Sequence, residues 1–119
     1  MKVIIAGGRT YDNAKDFYTH MKELEKLQLA NFFISEIVCG GAKGADRLGA
    51  KWGEYFNIPV KLFPADWEQY GKSAGYIRNS EMGGYADSLI AFWDGSSKGT
   101  KHMIDIMKKL GKPYRIISI

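Results

Sequence analysis

The feature that most constrains this chain is an alternation of short apolar runs with longer segments of helical period. The five runs, rich in β-branched and other apolar residues, are Val3–Ala6, Ile34–Cys39, Val60–Phe63, Ser88–Phe92 and Tyr114–Ile119. Such alternation is typical of βαβ units, and uninterrupted apolar strands are typical of a parallel sheet covered on both faces. We therefore predict an α/β fold, a Rossmann-like three-layer α/β/α sandwich around a central parallel sheet of about five strands.

The segments between these runs keep apolar residues three or four positions apart, as the buried face of a helix does. The first such segment has Phe17, Met21 and Leu24, the second has Ala45, Leu48, Trp52 and Phe56, and the last has Met103, Met107 and Leu110. Residues 71–85 are rich in glycine but place Ala74, Ile77 and Met82 in rough helical register, so we predict a helix there too.

The length and composition indicate one domain over residues 1–119. A chain of 119 residues with 45% hydrophobic residues can bury a core without metals or disulfides. The opening run MKVIIAGG is too short for a signal-peptide core, and no stretch approaches about 18 apolar residues. We therefore expect a cytoplasmic protein with no membrane partner. The single cysteine, Cys39, lies in an apolar run and is predicted to be a buried structural thiol.

The charge balance bears on the kind of partner. The formal net charge is +4, which suits an anionic ligand, but the lysines are scattered along the chain rather than gathered in a block. Nucleic acid is therefore an unlikely partner, and a small molecule is expected instead.

Two glycine-rich turns follow the first and second apolar runs. Glycine lets backbone N–H groups approach a ligand, and the first turn of the following helix favours an anion. Since βα turns also need glycine for purely structural reasons, a structural role stays open. Asp46 could cap its helix or hydrogen-bond ribose hydroxyls, and an arginine just past a strand suits phosphate. The candidate nucleotide- and phosphate-binding residues here are Gly7, Gly8, Arg9, Gly40, Gly41, Gly44 and Asp46.

Polar and aromatic residues follow the third and fourth runs. The segment from Pro64 to Asn79 imitates the end of a P-loop at Gly71, but Asp66 stands where that motif requires glycine, so we reject an NTPase. Trp67 and Tyr70 could stack on a base or pack beside the sheet. A third loop of small residues leads into the last helix. The further candidate binding residues are Arg78, Asn79, Asp94, Gly95, Ser97, Gly99 and Thr100.

The sequence supports neither a metal site nor a resident cofactor. His20 and His102 lie on separate predicted helices and have no metal-ligand spacing with Cys39 or with the carboxylates. No catalytic group of serine, histidine and acid can be assembled, so the catalytic residues are unknown.

Taken together, these motifs resemble the YspA-like branch of the SLOG (Smf/DprA-LOG) superfamily over nearly the whole chain. The motifs are GGR at 7–9, GGAKGAD at 40–46, PADW at 64–67, GKSAGYIRNSEM at 71–82, AD at 86–87 and FWDGSSKGT at 92–100. The resemblance implies a Rossmann-like domain, of a kind found in bacteria and phages, whose glycine loops hold nucleotides. It also implies relatives that sense NAD- or ADP-ribose-related signals.

The LOG phosphoribohydrolases within this superfamily cleave the N-glycosidic bond of a nucleoside monophosphate. They use an arginine in an R-x-x-x-M segment, which Arg78 and Met82 match, and a glutamate in a PGGxGTxxE loop. Gly99 and Thr100 match that loop in part, but Met103 stands at the glutamate position. A methionine can neither stabilise an oxocarbenium ion nor transfer a proton, which counts against this route.

The resemblance leaves three functions open. The first is a module that senses or sequesters a nucleoside mono- or diphosphate or an ADP-ribose- or NAD-like compound. The second is a LOG-like hydrolase, and the third is DNA binding in the manner of DprA. The resemblance to LOG proteins also implies a homo-oligomer, for which Tyr11, Phe32 and Phe33 are candidate contact residues. Phe32 and Phe33 could equally pack beneath the second strand.

Overall fold

The computed structural model describes residues 1–28 and 34–119 and has five strands and five α-helices in these ranges. The strands are β1 (Lys2–Gly7), β2 (Glu36–Cys39), β3 (Val60–Leu62), β4 (Ser88–Trp93) and β5 (Tyr114–Ser118). The helices are α1 (Ala14–Gln28), α2 (Ala45–Tyr55), α3 (Trp67–Tyr70), α4 (Ala74–Tyr85) and α5 (Lys98–Leu110). A 3-10 turn at Gly71–Ser73 joins α3 to α4.

The strands form one parallel sheet in the order β3-β2-β1-β4-β5. The chain builds outward from β1 through β2 to β3, and then returns to the other side of β1 to add β4 and β5. The order therefore reverses between β1 and β4, and ligands bind open α/β sheets beyond the carboxyl ends of the strands at such a switch point.

Helices cover both faces of the sheet. Successive side chains of a strand point to opposite faces, and in the central strands the side chains on both faces are apolar and need to be buried. Val3 and Ile5 of β1 belong to a buried cluster with residues of α1 and α2. Ile4 and Ala6 of the same strand belong to a second cluster with residues of α4 and α5. The predicted α/β Rossmann-like fold with a five-stranded parallel sheet is confirmed.

Two boundaries differ from the prediction by two residues or more. The second strand begins at Glu36, although Ile34 before it is still buried. The predicted helix over 71–85 begins only at Ala74, because Gly71 has a positive φ of 55° and starts a 3-10 turn. The sequence analysis also missed α3, which Asp66 caps by accepting a 3.1 Å hydrogen bond from the Gln69 N–H.

The prediction that Tyr11 marks a subunit contact was wrong. Its ring is only 9% exposed and stacks on Phe92 with ring centroids 5.3 Å apart, and its hydroxyl donates to Asp16 at 2.6 Å. Tyr11 is therefore a core residue. The other two candidate contacts, Phe32 and Phe33, lie outside the described residues, and homo-oligomerisation stays a prediction.

Across residues 1–28 and 34–119, no helix combines the length and the apolar character needed to cross a membrane.

Candidate functional site

A crevice of about 380 Å³ lies beyond the carboxyl ends of β1 and β4, at the switch point of the sheet. Its volume falls within the range of roughly 300–1,000 Å³ that is typical of small-molecule sites. We call it the switch-point crevice. The predicted site residues that line it are Gly7, Gly8, Arg9, Asp46, Arg78, Asn79, Asp94, Ser97, Gly99 and Thr100.

A second cavity of about 740 Å³ lies beyond β2 and β3, and we call it the lateral cavity. Gly40 and Gly41 line this cavity rather than the crevice, whereas Arg9 and Arg78 line both. The two arginines therefore stand where the cavities meet.

Two predicted residues, Gly44 and Gly95, line neither cavity. Gly44 has a φ of 81°, and a Cβ there would overlap the carbonyl oxygen of Gly8, so a glycine is needed to bring the loops after β1 and β2 together. Gly95 also has a positive φ and belongs to the turn after β4.

Asp46, at the start of α2, organises the loop that precedes it. The side chain is only 7% exposed, and one carboxylate oxygen accepts the N–H groups of Gly40 at 2.9 Å and Ala42 at 3.3 Å. The N–H of Ala45 donates to the carbonyl of Gly8 at 3.4 Å. The N–H of Gly40, a predicted phosphate-binding residue, thus already has a protein partner, as do those of Ala42 and Ala45. Burial raises the pKa of Asp46, while these amides and the nearby Arg78 oppose that rise.

Arg78 projects from α4 and joins three parts of the site. Its Nη1 donates to the carbonyl oxygen of Gly40 at 2.8 Å and to that of Phe63 at 3.5 Å, and its Nε donates to Asn79 at 3.1 Å. Within the described residues, Nη2 has no hydrogen-bond partner. The guanidinium is therefore held in place by the loops after β2 and β3 while one nitrogen stays available to a ligand.

Asn79 extends this network to the start of α5. Its side chain is 7% exposed, and Nδ2 donates to the carbonyl of Gly99 at 3.2 Å and lies 3.2 Å from Nδ1 of His102. Because the amide nitrogen can only donate, Nδ1 of His102 must accept and is unprotonated. Burial lowers the pKa of His102, although Asp105 partly offsets this, so the neutral ring is favoured.

Asp94 shapes the loop after β4. One carboxylate oxygen accepts the N–H groups of Ser96 at 2.9 Å and Ser97 at 2.8 Å, and these bonds lower the pKa of Asp94. The hydroxyl of Ser97 lies 3.1 Å from that of the buried Thr100. The loop thereby brings the start of α5, with its partial positive charge, to the rim of the crevice.

Arg9 is the exposed cation of the site. It follows β1 directly, and among the described residues its side chain has neither a hydrogen bond nor an ion pair. It borders the switch-point crevice, the lateral cavity and a third, smaller cavity of about 220 Å³. A guanidinium so placed can form bidentate hydrogen bonds to a phosphate.

Several further residues complete this description. Met82 lines the crevice beside Arg78, whereas Met103 is 1% exposed and packs in the core between the sheet and α5.

Burial raises the pKa of Cys39 to about 11, in agreement with its prediction as a buried thiol. The sequence analysis missed Lys43, which lines the lateral cavity; its position inside a glycine-rich turn was the available signal. Within the described ranges, no three His, Cys, Asp or Glu side chains are grouped to hold a metal ion.

Comparison with known proteins identifies the family. Residues 1–70 match the family described as "YAcAr: YspA, cpYpsA-related SLOG family". The chain is 37% identical over 118 residues to the "Gene 61 protein" of Mycobacterium phage D29, an alignment that covers 94% of this chain and 92% of the relative. No solved structure shows significant similarity. The chain therefore belongs to the YspA, cpYpsA-related SLOG family, and this membership indicates a nucleotide-related function.

Proposed function

We propose that this protein binds a phosphate-bearing nucleotide derivative at the carboxyl edge of its sheet and acts as a sensing or sequestering module. The observation that carries the proposal is the exposed guanidinium of Arg9, which has no hydrogen bond or ion pair among the described residues and borders the crevice together with Arg78. Two guanidinium groups beside a helix start suit a phosphate, and Arg9 has few structural reasons to lie there.

The charges around the site support an anionic ligand. Its two carboxylates, Asp46 and Asp94, are each hydrogen-bonded to two backbone N–H groups of their own loops. Arg9 and Lys43 have no such bonds in the described part of the chain and line the cavities with their positive charge. The net field over the site therefore favours a negatively charged compound.

Hydrolysis of the N-glycosidic bond is the alternative reading of the same site. Arg78 and Met82, which match the R-x-x-x-M segment, both line the crevice and support it. The buried Met103 counts against it, because that side chain supplies no carboxylate and packs in the core. DNA binding is a further alternative, and affinity that falls steeply with salt would favour it.

A thermal-shift screen with chromatography tests the proposal. The purified protein would be heated with AMP, GTP, ADP-ribose, NAD and cyclic nucleotides, and each stabilising compound would be analysed by HPLC after incubation. A compound present at about 100 times its Kd should stabilise the fold by about 2.7 kcal/mol. We expect a shift with unchanged compound. A released base would make the protein a hydrolase, and no shift with any of these compounds would overturn the proposal.

A further inference from the structure

An exposed indole stands beside the two arginines of the site. Trp67 begins α3 and is 52% exposed, and Asp66 fixes the start of that helix. The edge of the ring lies 3.5 Å from the position that a Cβ would take on Gly75, so the indole rests against the start of α4. Trp67 belongs to neither buried cluster of the described residues. Core packing therefore does not account for this large side chain.

The cavities around Trp67 lead to the switch-point crevice. Trp67 borders both the lateral cavity and the 220 Å³ cavity, and the latter is also lined by Lys72 and Tyr76. Both cavities share Arg9 and Arg78 with the crevice. The cavities beside Trp67 therefore adjoin the switch-point crevice at the two arginines, and the smaller cavity also shares Asn79 and Gly99 with it.

This order of groups matches the chemistry of a particular kind of ligand. An exposed aromatic face stacks on a planar base, and guanidinium groups bind phosphate. The crevice beside the arginines is lined by the hydroxyl of Ser97 and the carboxylate of Asp94, which suit the hydroxyls of a sugar. A mononucleotide with its base on Trp67 and its phosphate at the arginines would leave the switch-point crevice unfilled.

Building on the proposed function, we infer that Trp67 is the stacking platform for a nucleobase, with phosphate at Arg9 and Arg78 and a second polar group in the switch-point crevice. The ligand class is a two-part nucleotide, in which phosphate joins a nucleoside to a sugar or to a second nucleoside. Trp67 then determines how much the base contributes to affinity, and the crevice determines how much the second part contributes.

The test measures the affinities of three probes by isothermal titration: ribose 5-phosphate, AMP and ADP-ribose. They would be titrated into the wild type, Trp67→Ala, Trp67→Phe and, as a control, Tyr55→Ala, which removes a 78% exposed aromatic on α2 outside these cavities. In the wild type we expect ADP-ribose to bind more tightly than AMP, and AMP more tightly than ribose 5-phosphate. Trp67→Ala should weaken AMP and ADP-ribose about 5- to 150-fold and leave ribose 5-phosphate unchanged. Trp67→Phe should restore part of that loss.

Each other outcome has a definite meaning. If Trp67→Ala leaves AMP and ADP-ribose unchanged, or weakens ribose 5-phosphate equally, the stacking role is overturned while the proposed function stands. If ADP-ribose binds no more tightly than AMP, the two-part ligand is overturned. If none of the three probes binds the wild type but another compound of the thermal-shift screen does, this inference is overturned and the proposed function stands. If no compound of the screen binds, both fail.

Discussion

The guanidinium of Arg78 occupies the space that a side chain at Gly40 would need. Nη1 of Arg78 donates to the carbonyl oxygen of Gly40 at 2.8 Å, and a Cβ on that glycine would overlap the guanidinium. The contact joins the middle of α4 to the end of β2, 38 positions away in the chain. The position of this cation in the site therefore depends on a residue that has no side chain.

Gly40→Ala should force the guanidinium away and destabilise the fold. The guanidinium ends a flexible side chain and can move aside, so the cost is that of its hydrogen bonds to the carbonyls of Gly40 and Phe63, about 0.5–1.5 kcal/mol for a typical bond, measured as the free energy of unfolding in urea. Gly84→Ala is the matched control, because a Cβ there meets no atom within 4 Å and alanine favours a helix. Equal stability of the two variants would contradict the close contact at Gly40.

Asp46→Ala should destabilise the loop after β2. The substitution leaves the N–H groups of Gly40 and Ala42 without their acceptor, at a cost of about 1–3 kcal/mol for a buried donor. Asp105→Ala serves as the control, since that exposed carboxylate pairs with Lys101 on the helix surface, where an ion pair contributes little to stability. Urea unfolding of both variants checks the difference, and a loss no larger than the control's would argue against this role of Asp46.

His102 should make stability depend on pH. Burial lowers its pKa below the usual 6.5, so the unfolded chain takes up a proton at a higher pH than the folded one. The contribution of His102 to the free energy of unfolding is then fully present above about pH 6.5. It falls as the pH drops toward the lowered pKa and levels off below that pKa. A proton on Nδ1 of His102 would also lie against Nδ2 of Asn79, which donates a hydrogen bond to that nitrogen in the neutral ring.

Thermal denaturation between pH 7.5 and about pH 5 checks this dependence. His102→Gln should lose less stability over this interval than the wild type. Parallel curves for His102→Gln and the wild type would show that His102 does not produce the effect.

The fold was largely predictable from the sequence because it depends on local periodicity. Strands such as β1 and β4 are continuous apolar runs, and the helices between them repeat apolar residues at helical spacing. The place of the site followed from this order, since the strands of a parallel sheet end at one edge. The helix α3 was missed even though Asp66 is a favoured capping residue, because only four residues follow it in the helix.

The chemistry within the site was less predictable because it depends on contacts between distant segments. The roles of Asp46 and Arg78 required knowing which backbone groups face them in three dimensions. Glycines in similar strand-to-helix turns also have different roles. Gly8 lines the crevice, whereas Gly44 allows two loops to approach each other. A motif of residue types cannot distinguish an amide offered to a ligand from one already bound by the protein.

The most direct test of the account is the effect of Arg9 on ligand affinity. The tightest compound from the screen would be titrated calorimetrically into the wild type, Arg9→Ala, Arg9→Lys and the control Arg115→Ala, which changes an exposed arginine on the edge strand β5. Loss of charge-assisted hydrogen bonds to phosphate predicts an affinity about 10- to 150-fold lower for Arg9→Ala, partial recovery for Arg9→Lys and no change for Arg115→Ala. Wild-type affinity in Arg9→Ala would contradict the claim that a phosphate binds at this arginine.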